Sequence, residues 1–559
     1  MPKRYSKTRG VSVDWLENGF MRELKSHFGK ASHEKDVRHL ENLQVDECGP
    51  IRKKGEHITS PDDQDYGTAY VDCLVGEDKV GEANIVLLHP YSKNSNVNSL
   101  IATVSDYCRS NKMDPKSTYV WIDFLCLNLH RIAAKMKKGK WNINDSFQEN
   151  VIFLRDLCSK PHVKTLVSMT PYRNPEILQD VRILYELFLL GTSEENEAEM
   201  SLCLPLEDRS ALLMSVVENP DIFISLVNRI CELEVEKMQE NMTIDPIETI
   251  AFRNIISEGS GFKQVNAWIR DFICNYLFDE LLGHGTNILN ESDVCAMCEQ
   301  IAPLCMQKKV DSQALRLYMK VYDCQKDSDA ASDTKFASLM QSIALLKQNF
   351  DQLEDSLLFL KQALQIYEKK EGVYSCEVAD IYKGIGDVQF ALEAYDSALD
   401  MYKMTYSIEE KLHGTQSTRT ADVLNKLGKV YAATGNSDEA MANLQQALQI
   451  REGIHGSESE VVVESFQCIA QAFLCDGDVD QAIANYMNAL AICESINHDK
   501  EVLASILNEL ALIFCDAGKY KDALPYFERA IEIYTQEFGR DHPHTKIAQN
   551  SYKEVKELI

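Results

Sequence analysis

The chain has 559 residues, a formal net charge of −28 and 45% hydrophobic residues, which is typical of a globular protein of several domains. This acidity argues against nucleic acid as a partner, because phosphate binding needs a basic face. No apolar run reaches the roughly 18 residues of a membrane-spanning helix, and the start lacks the apolar stretch of a signal peptide. We therefore expect a cytoplasmic protein with no membrane span.

Residues 1–65 are polar and carry several basic side chains near the start. This composition favours a partly disordered head. Within it, the apolar residues of 14–28 have the spacing of one amphipathic helix.

Residues 66–210 alternate short apolar runs with amphipathic stretches. The runs at 84–89, 119–126, 162–169 and 200–205 predict four strands, and helices are expected between them. This order predicts an α/β domain with an open parallel sheet. Such sheets bind ligands at the carboxyl ends of their strands, where the sequence places His89, Asp123 and Asn128 as ligand-binding candidates. No glycine-rich phosphate loop follows any of the four runs.

Three segments of this domain carry a resemblance to a known family. Residues 119–128 are similar to the Trp-x-Asp-x-x-Cys-x-Asn motif of heterokaryon-incompatibility and related TIR-like domains. Residues 87–91 resemble the first-strand segment of these domains, and 182–186 lie where they carry a helical glutamate. The resemblance implies a TIR-like signalling or assembly domain, with self-association as one of its roles.

The same resemblance implies a catalytic role for Glu186, since the helical glutamate of TIR-like domains can act in cleaving NAD. A carboxylate there could stabilise an oxocarbenium-like state. The alternative is that Glu186 is a charge on a helix face, paired with Arg182 four residues earlier. We expect a protein that acts by binding and needs no cofactor. The enzymatic alternative is an NAD glycohydrolase, and NAD is expected as a ligand only under that alternative.

Residues 211–292 read as several helices, which predict a helical connector. Just beyond it, Cys295 and Cys298 form a close pair. A structural zinc site usually needs two such pairs, and no second pair follows. We expect these thiols to be packed in a helix and expect no metal site.

The C-terminal part, 293–559, contains a repeat of 42 residues. A pattern of small and large apolar residues around Leu427-Gly428 recurs at Ile469-Ala470 and, one residue short, at Leu510-Ala511. Backward shifts of 42 reach Ile385-Gly386, Ile343-Ala344 and, with weaker flanks, Ile301-Ala302. Each copy is two helical stretches joined by a turn, so six copies predict an α-solenoid of about six helix pairs.

The spacing of these small and large residues resembles the tetratricopeptide repeat (TPR), and the 42-residue period resembles the subtype of kinesin light chains. The link at 538–545 closely matches the Leu-Gly-x-Asp-His-Pro-x-Val link of that family. The resemblance implies a concave groove lined by the first helix of each pair, which binds peptides or partner helices.

It also implies a carboxamide two residues before the Leu-Gly position, which can grip a peptide backbone. Asn425 and Asn508 hold this position in two copies and are the peptide-binding candidates, while Gln341, Lys383 and Gln467 hold it in three others. The alternative is that these are ordinary exposed helix residues.

We therefore predict a multidomain α/β plus all-α chain, a scaffold that binds protein or peptide partners in the solenoid groove. The first alternative is a TIR-like NAD-cleaving hydrolase regulated by the TPR array. The second is a cargo adaptor like a kinesin light chain, although no sustained heptad run precedes the repeats.

Overall fold

A computed structural model describes residues 9–28, 54, 69–74, 76, 79–89, 97–126, 152–173, 175–192, 200–238, 253–256, 260–284, 290–496, 499–540 and 542–558. The chain divides into two compact units. One is Met1–Ile256 with Val265–Met297, and the other is Ser257–Gln264 with Cys298–Ile559.

A six-stranded mixed sheet is the centre of the first unit. Its strands are β1 (Arg9–Ser12), β2 (Val80–Glu82), β3 (Ile85–Leu88), β4 (Tyr119–Trp121), β5 (Lys164–Ser168) and β6 (Met200–Cys203). They lie in the order β2-β1-β4-β3-β5-β6. The strands β4, β3, β5 and β6 are parallel, with Val86 opposite both Trp121 and Thr165. They lie within the four predicted strands, but the predicted strand at 119–126 ends at Trp121, and Asp123–Cys126 is a helix. β3 and β5 are buried almost throughout, as central parallel strands are.

Two strands of this sheet were missed by the sequence analysis, which makes the sheet mixed and not purely parallel. β1 pairs antiparallel with both β2 and β4. It belongs to residues 1–65, which we expected to form a polar, partly disordered head, and within that segment residues 9–28 contain this strand and the helices that follow it. Both strands have at most four residues, which is too short for a recognisable periodicity.

Helices flank the sheet along the chain. They are α1 (Val13–Trp15), α2 (Met21–Phe28), α3 (Val97–Ser110), α4 (Asp123–Cys126), α5 (Val181–Gly191), α6 (Leu206–Glu218), α7 (Pro220–Cys231) and α8 (Phe262–Asp279). A π-helical turn, Leu16–Phe20, joins α1 to α2, so residues 13–28 are helical, close to the predicted amphipathic helix. Residues 152–158 are helical as well. The amide of Leu206 at the start of α6 donates to the Asp106 carboxylate of α3 over 2.8 Å, which satisfies a helix-end donor.

The second unit is a stack of antiparallel helix pairs. The pairs are α9 (Glu291–Gln307) with α10 (Asp311–Gln325), α11 (Thr334–Asn349) with α12 (Leu353–Glu371), α13 (Cys376–Ala391) with α14 (Tyr395–His413), α15 (Thr418–Ala433) with α16 (Ser437–His455), α17 (Glu460–Asp476) with α18 (Val479–Ser495), and α19 (Lys500–Asp516) with α20 (Tyr520–Phe538). A last helix, α21 (Pro543–Glu557), follows the sixth pair. The predicted α-solenoid is confirmed, and the two helices pack directly on each other in the five pairs from α11 to α20.

Small residues of the repeat lie where the two helices of a pair touch. A methyl group built on Gly428 would lie 2.5 Å from Leu444 Cγ of the facing helix, and one on Gly386 would lie 2.7 Å from Tyr402 Cε1. Both distances are far below van der Waals contact, so the pattern depends on these glycines for close packing.

The links between pairs also repeat. Gly414, Gly456 and Gly539 each follow a second helix with φ between 80 and 88°, a conformation that favours glycine. The Thr545 hydroxyl donates to the Gly539 carbonyl over 2.8 Å, and Thr420 donates in the same way to Gly414 over 2.7 Å. The link at 538–545 therefore has the same hydrogen bond as its looser counterpart at Gly414.

The described residues contain no single helix with the length and apolar content of a membrane span. In the same described part of the chain, one helix pair, α6 with α7, reaches that content, and it is bent by 112° at the break between the two helices.

Candidate functional site

The first unit buries two of its predicted site residues. His89 directly follows β3 and is buried. Glu186 lies in the middle of α5 with only 3% of its surface exposed. Asp123 is the first residue of α4 at the end of β4. Asn128 lies outside the described residues.

The helix α5 is held in the interior along nearly its whole length. Ile183, Leu184 and Leu187 are all buried, and the Asp180 carboxylate caps the helix by accepting from the Ile183 amide over 3.2 Å. Placing a glutamate in such a helix costs free energy unless polar partners compensate. A buried glutamate at this place in α5 therefore needs polar partners inside the fold.

The first helices of neighbouring pairs share one face, which we call the inner face. It is defined by Asp380 and Asp387 on α13, Arg419, Asp422, Lys426 and Lys429 on α15, Glu464 and Gln471 on α17, and Ser505, Glu509 and Leu512 on α19. These side chains recur at equivalent repeat positions on successive first helices. Direct packing of α15 on α17 and of α11 on α13 places the first helices on the inner side of the stack.

Ion pairs cross the inner face from helix to helix. Arg419 of α15 bonds Asp380 of α13 over 2.8 Å, and Lys426 bonds Asp387 over 2.9 Å. Lys429 lies 4.0 Å from Glu464 of α17. Because these pairs are half exposed, each contributes little stability, on the order of 0–1 kcal/mol. Because these ion pairs are partly exposed, their charged groups lie within reach of a molecule bound on the inner face.

A buried arginine lies beneath the middle of this face. Arg451 of α16 is 3% exposed. Its Nη1 donates to the Val461 carbonyl and the Ser465 hydroxyl, each over 2.9 Å. Its Nη2 lies 2.6 Å from Asp422 and 3.1 Å from Glu464, which are 42% and 49% exposed. The guanidinium thus joins α15, α16 and α17.

Asn425, a predicted peptide-binding residue, belongs to the same network. It is 2% exposed, and with its carbonyl oxygen turned toward Arg451 it accepts from Nη1 over 2.6 Å. The structure therefore places this carboxamide inside the stack, bound to the chain's own arginine. Its contact with a peptide stays a prediction.

One repeat earlier, a buried acid occupies the position of Arg451. Glu409 of α14 is 2% exposed and accepts from Arg419 Nε with both carboxylate oxygens, over 2.8 and 2.9 Å. These hydrogen bonds raise the pKa of the Arg419 guanidinium. At the same repeat position three of the other pairs carry Tyr367, Cys493 and Tyr534.

Asn508, the second predicted peptide-binding residue, is half-buried on α19. Among the described residues, its Oδ1 has no hydrogen-bond donor. The next residue, Glu509, is also half-buried, and burial raises the pKa of its carboxyl. No cation of the described chain pairs with Glu509, whereas Lys426 at the equivalent position of α15 is paired. Leu512, one turn further on, is 36% exposed.

The sequence analysis missed Glu409, Arg451 and Glu509. A signal for the first two was present, because aligning the copies puts these charges at a position where other copies hold Tyr or Cys. Their partners come from neighbouring repeats, which the repeat pattern alone does not identify. The cysteines Cys295 and Cys298 are buried on α9, as predicted for helix packing. In the described part of the chain, no group of three or more His, Cys, Asp and Glu residues could hold a metal ion.

A family model described as tetratricopeptide repeat matches residues 377–453, 461–536 and 502–558. Among solved structures, BtubC (BKLC) from P. vanneervenii is 22% identical, with 41% of this chain and 91% of that chain covered at a TM-score of 0.33. The TPR-like repeats of a putative kinesin light chain from Podosopora anserina are 18% identical, with 36% and 97% covered at 0.32. A Rap protein complexed with Competence and Sporulation Factor is 15% identical, with 63% and 96% covered at 0.33. No curated protein sequence matches the chain.

Proposed function

Because residues 377–558 match tetratricopeptide repeats, we propose that the chain is a protein-interaction scaffold whose inner face binds an extended segment of a partner protein. The observation that carries the proposal is the inner face itself. Its polar and charged side chains are half exposed and recur on α13, α15, α17 and α19, while the opposite sides of these helices are core. Stacked repeats present such a row of side chains along an extended surface, which suits an extended ligand.

How the inner face binds a ligand depends on which of its polar groups already have a partner in the chain. Arg451 and its acceptors fix the spacing of α15 and α17, so the floor of the face is preorganised and loses little entropy on binding. Gln471 is exposed and uncharged, so it can meet a ligand without first leaving an ion pair. Lys429, whose pairing with Glu464 is long, can exchange that contact for one with the ligand.

A blocking substitution tests this proposal. Gln471→Trp adds bulk to the inner face at an exposed position, and Gln446→Trp adds the same bulk to an exposed position on the second helix α16. Peptides are first selected on the full-length chain from a random display library. We expect Gln471→Trp to weaken their binding at least tenfold and Gln446→Trp to leave it unchanged. Equal binding by the two variants would remove the inner face as the site.

For the first unit we propose a TIR-like domain that assembles with other copies of itself or signals. The order β4-β3-β5-β6 of its parallel strands supports this proposal, because it puts the first predicted strand between the second and the third, as in doubly wound folds. Analytical ultracentrifugation of residues 1–290 and of the full chain tests self-association. A monomer at all concentrations in both samples would contradict it.

NAD cleavage by this unit is the second candidate, and the burial of Glu186 favours it. A carboxylate held in a protein interior is the kind of group that stabilises a positively charged sugar transition state. The reaction would break the bond between nicotinamide and ribose and add water to the ribose carbon. Release of nicotinamide by the full chain, lost in Glu186→Gln, supports it. Equal rates for both proteins, or no release, exclude it.

A further inference from the structure

One end of the inner face differs in charge balance from its middle. In the middle, the acids Asp380, Asp387 and Asp422 each pair with a cation of the chain. On α19 the acid Glu509 has no such cation among the described residues. We call Ser505, Asn508, Glu509 and Leu512 the α19 patch.

The α19 patch has two acceptors that the described part of the chain does not use. Glu509 is a half-buried carboxylate whose raised pKa reflects burial without compensation by a cation. Asn508 Oδ1 is a buried acceptor with no donor in the described part of the chain. A half-buried carboxylate without a cation costs free energy that a positively charged ligand with hydrogen-bond donors would recover.

The chain itself shows what such acceptors bind. Two copies earlier, at the equivalent position, the carboxamide Asn425 and two neighbouring carboxylates hold the guanidinium of Arg451. In the last pair the residue equivalent to Arg451 is Tyr534, which is buried and brings no charge. The α19 patch thus keeps the carboxamide and has a carboxylate one residue on, but has no internal cation.

We propose that the α19 patch receives a lysine or arginine side chain of the partner segment. Glu509 accepts from its charged head, and Leu512, one turn from Glu509, packs against its methylene stem. This inference rests on the proposed function and adds the chemistry of the partner, a basic segment. The net charge of −28 also favours a basic partner, because it attracts cationic molecules at long range.

The test uses short fluorescein-labelled Gly–Ser peptides with interspersed arginines, and a matched peptide with citrulline, which has the shape of arginine without its charge. Binding to the full-length chain is measured by fluorescence anisotropy. We compare wild type with Glu509→Gln and with Glu532→Gln, a control that removes one negative charge from an exposed position on α20. Both substitutions are nearly isosteric, and circular dichroism checks the fold.

We expect wild type to bind the arginine peptide about tenfold tighter than the citrulline peptide, and Glu509→Gln to reduce this preference about fivefold. Glu532→Gln should keep it, and Glu509→Lys should favour a glutamate peptide instead. If the preference for arginine is absent, or survives in Glu509→Gln, the inference is wrong.

The outcomes also separate this inference from the proposed function. If both peptides bind equally and Gln471→Trp blocks them, the inner face binds peptides but the α19 patch does not select a cation. If neither peptide binds while library-selected peptides do, the α19 patch does not select a cation, but the inner face is still supported as the binding site. Failure of every peptide, the selected ones included, overturns both.

Discussion

Arg451 offers the sharpest test of how the repeats are held together. Arg451→Met keeps most of the side-chain volume and removes every hydrogen bond of the guanidinium. The Val461 carbonyl, the Ser465 hydroxyl and the Asn425 carbonyl would then lose a donor inside the stack. Each buried group left unpaired costs about 1–3 kcal/mol.

The expected loss is smaller than the sum of these costs. Asp422 and Glu464 are nearly half exposed, so water replaces the arginine for them. The Ser465 hydroxyl lies 3.2 Å from the Val461 carbonyl and can donate to it. Burial of the charged guanidinium also costs hydration free energy, and a methionine side chain avoids this cost. We therefore expect a free energy of unfolding lower by about 3 kcal/mol.

Arg529→Met is the matched control. Arg529 pairs with Glu494 over 2.8 Å on the surface, with both side chains near half exposed, so its loss should cost less than about 1 kcal/mol. Urea unfolding followed by circular dichroism gives the stability. Hydrogen exchange resolved by peptide shows whether α15, α16 and α17 lose protection first, as local coupling of repeats requires. If both variants lose the same stability, or if exchange rises evenly along the solenoid, the network does not couple these helices.

Three further predictions follow from packing and burial. Gly428→Ala should destabilise the chain by about 1–3 kcal/mol, since its methyl would lie 2.5 Å from the facing helix, whereas Gly453→Ala, with open space around it, should be neutral or slightly stabilising in urea unfolding. The raised pKa of Glu509 means that the folded state binds its proton more tightly than the unfolded state does, so this group makes stability fall as pH rises through and above its ordinary value of 4.5. The free energy of unfolding, measured against pH for wild type and Glu509→Gln, should show this fall only in wild type. Equal slopes of the two proteins would contradict the assignment. Burial raises the pKa of the Cys203 thiol to about 12, so iodoacetamide should modify the exposed Cys475 in the native chain and Cys203 only after unfolding, as mass spectrometry of the digested protein would reveal.

The sequence determined the architecture of the solenoid. Small residues such as Gly386 and Gly428 must recur wherever two helices touch, and turn glycines must recur wherever the backbone takes a positive φ. Both requirements are local, so they leave a fixed period in the sequence. Central strands such as β3 and β5 were found for a similar reason, since strands buried on both faces are continuously apolar.

Only the tertiary structure decided which polar groups are free to act. Asn425 and Asn508 hold the same repeat position, yet the first is bound by Arg451 and the second has an unused acceptor. The difference arises 26 residues further on in each case, where the chain has Arg451 or Tyr534. The strand β1 was missed because its partners β2 and β4 lie far along the chain. Pairing across repeats and strands depends on distances in space, and a periodic sequence pattern does not contain them.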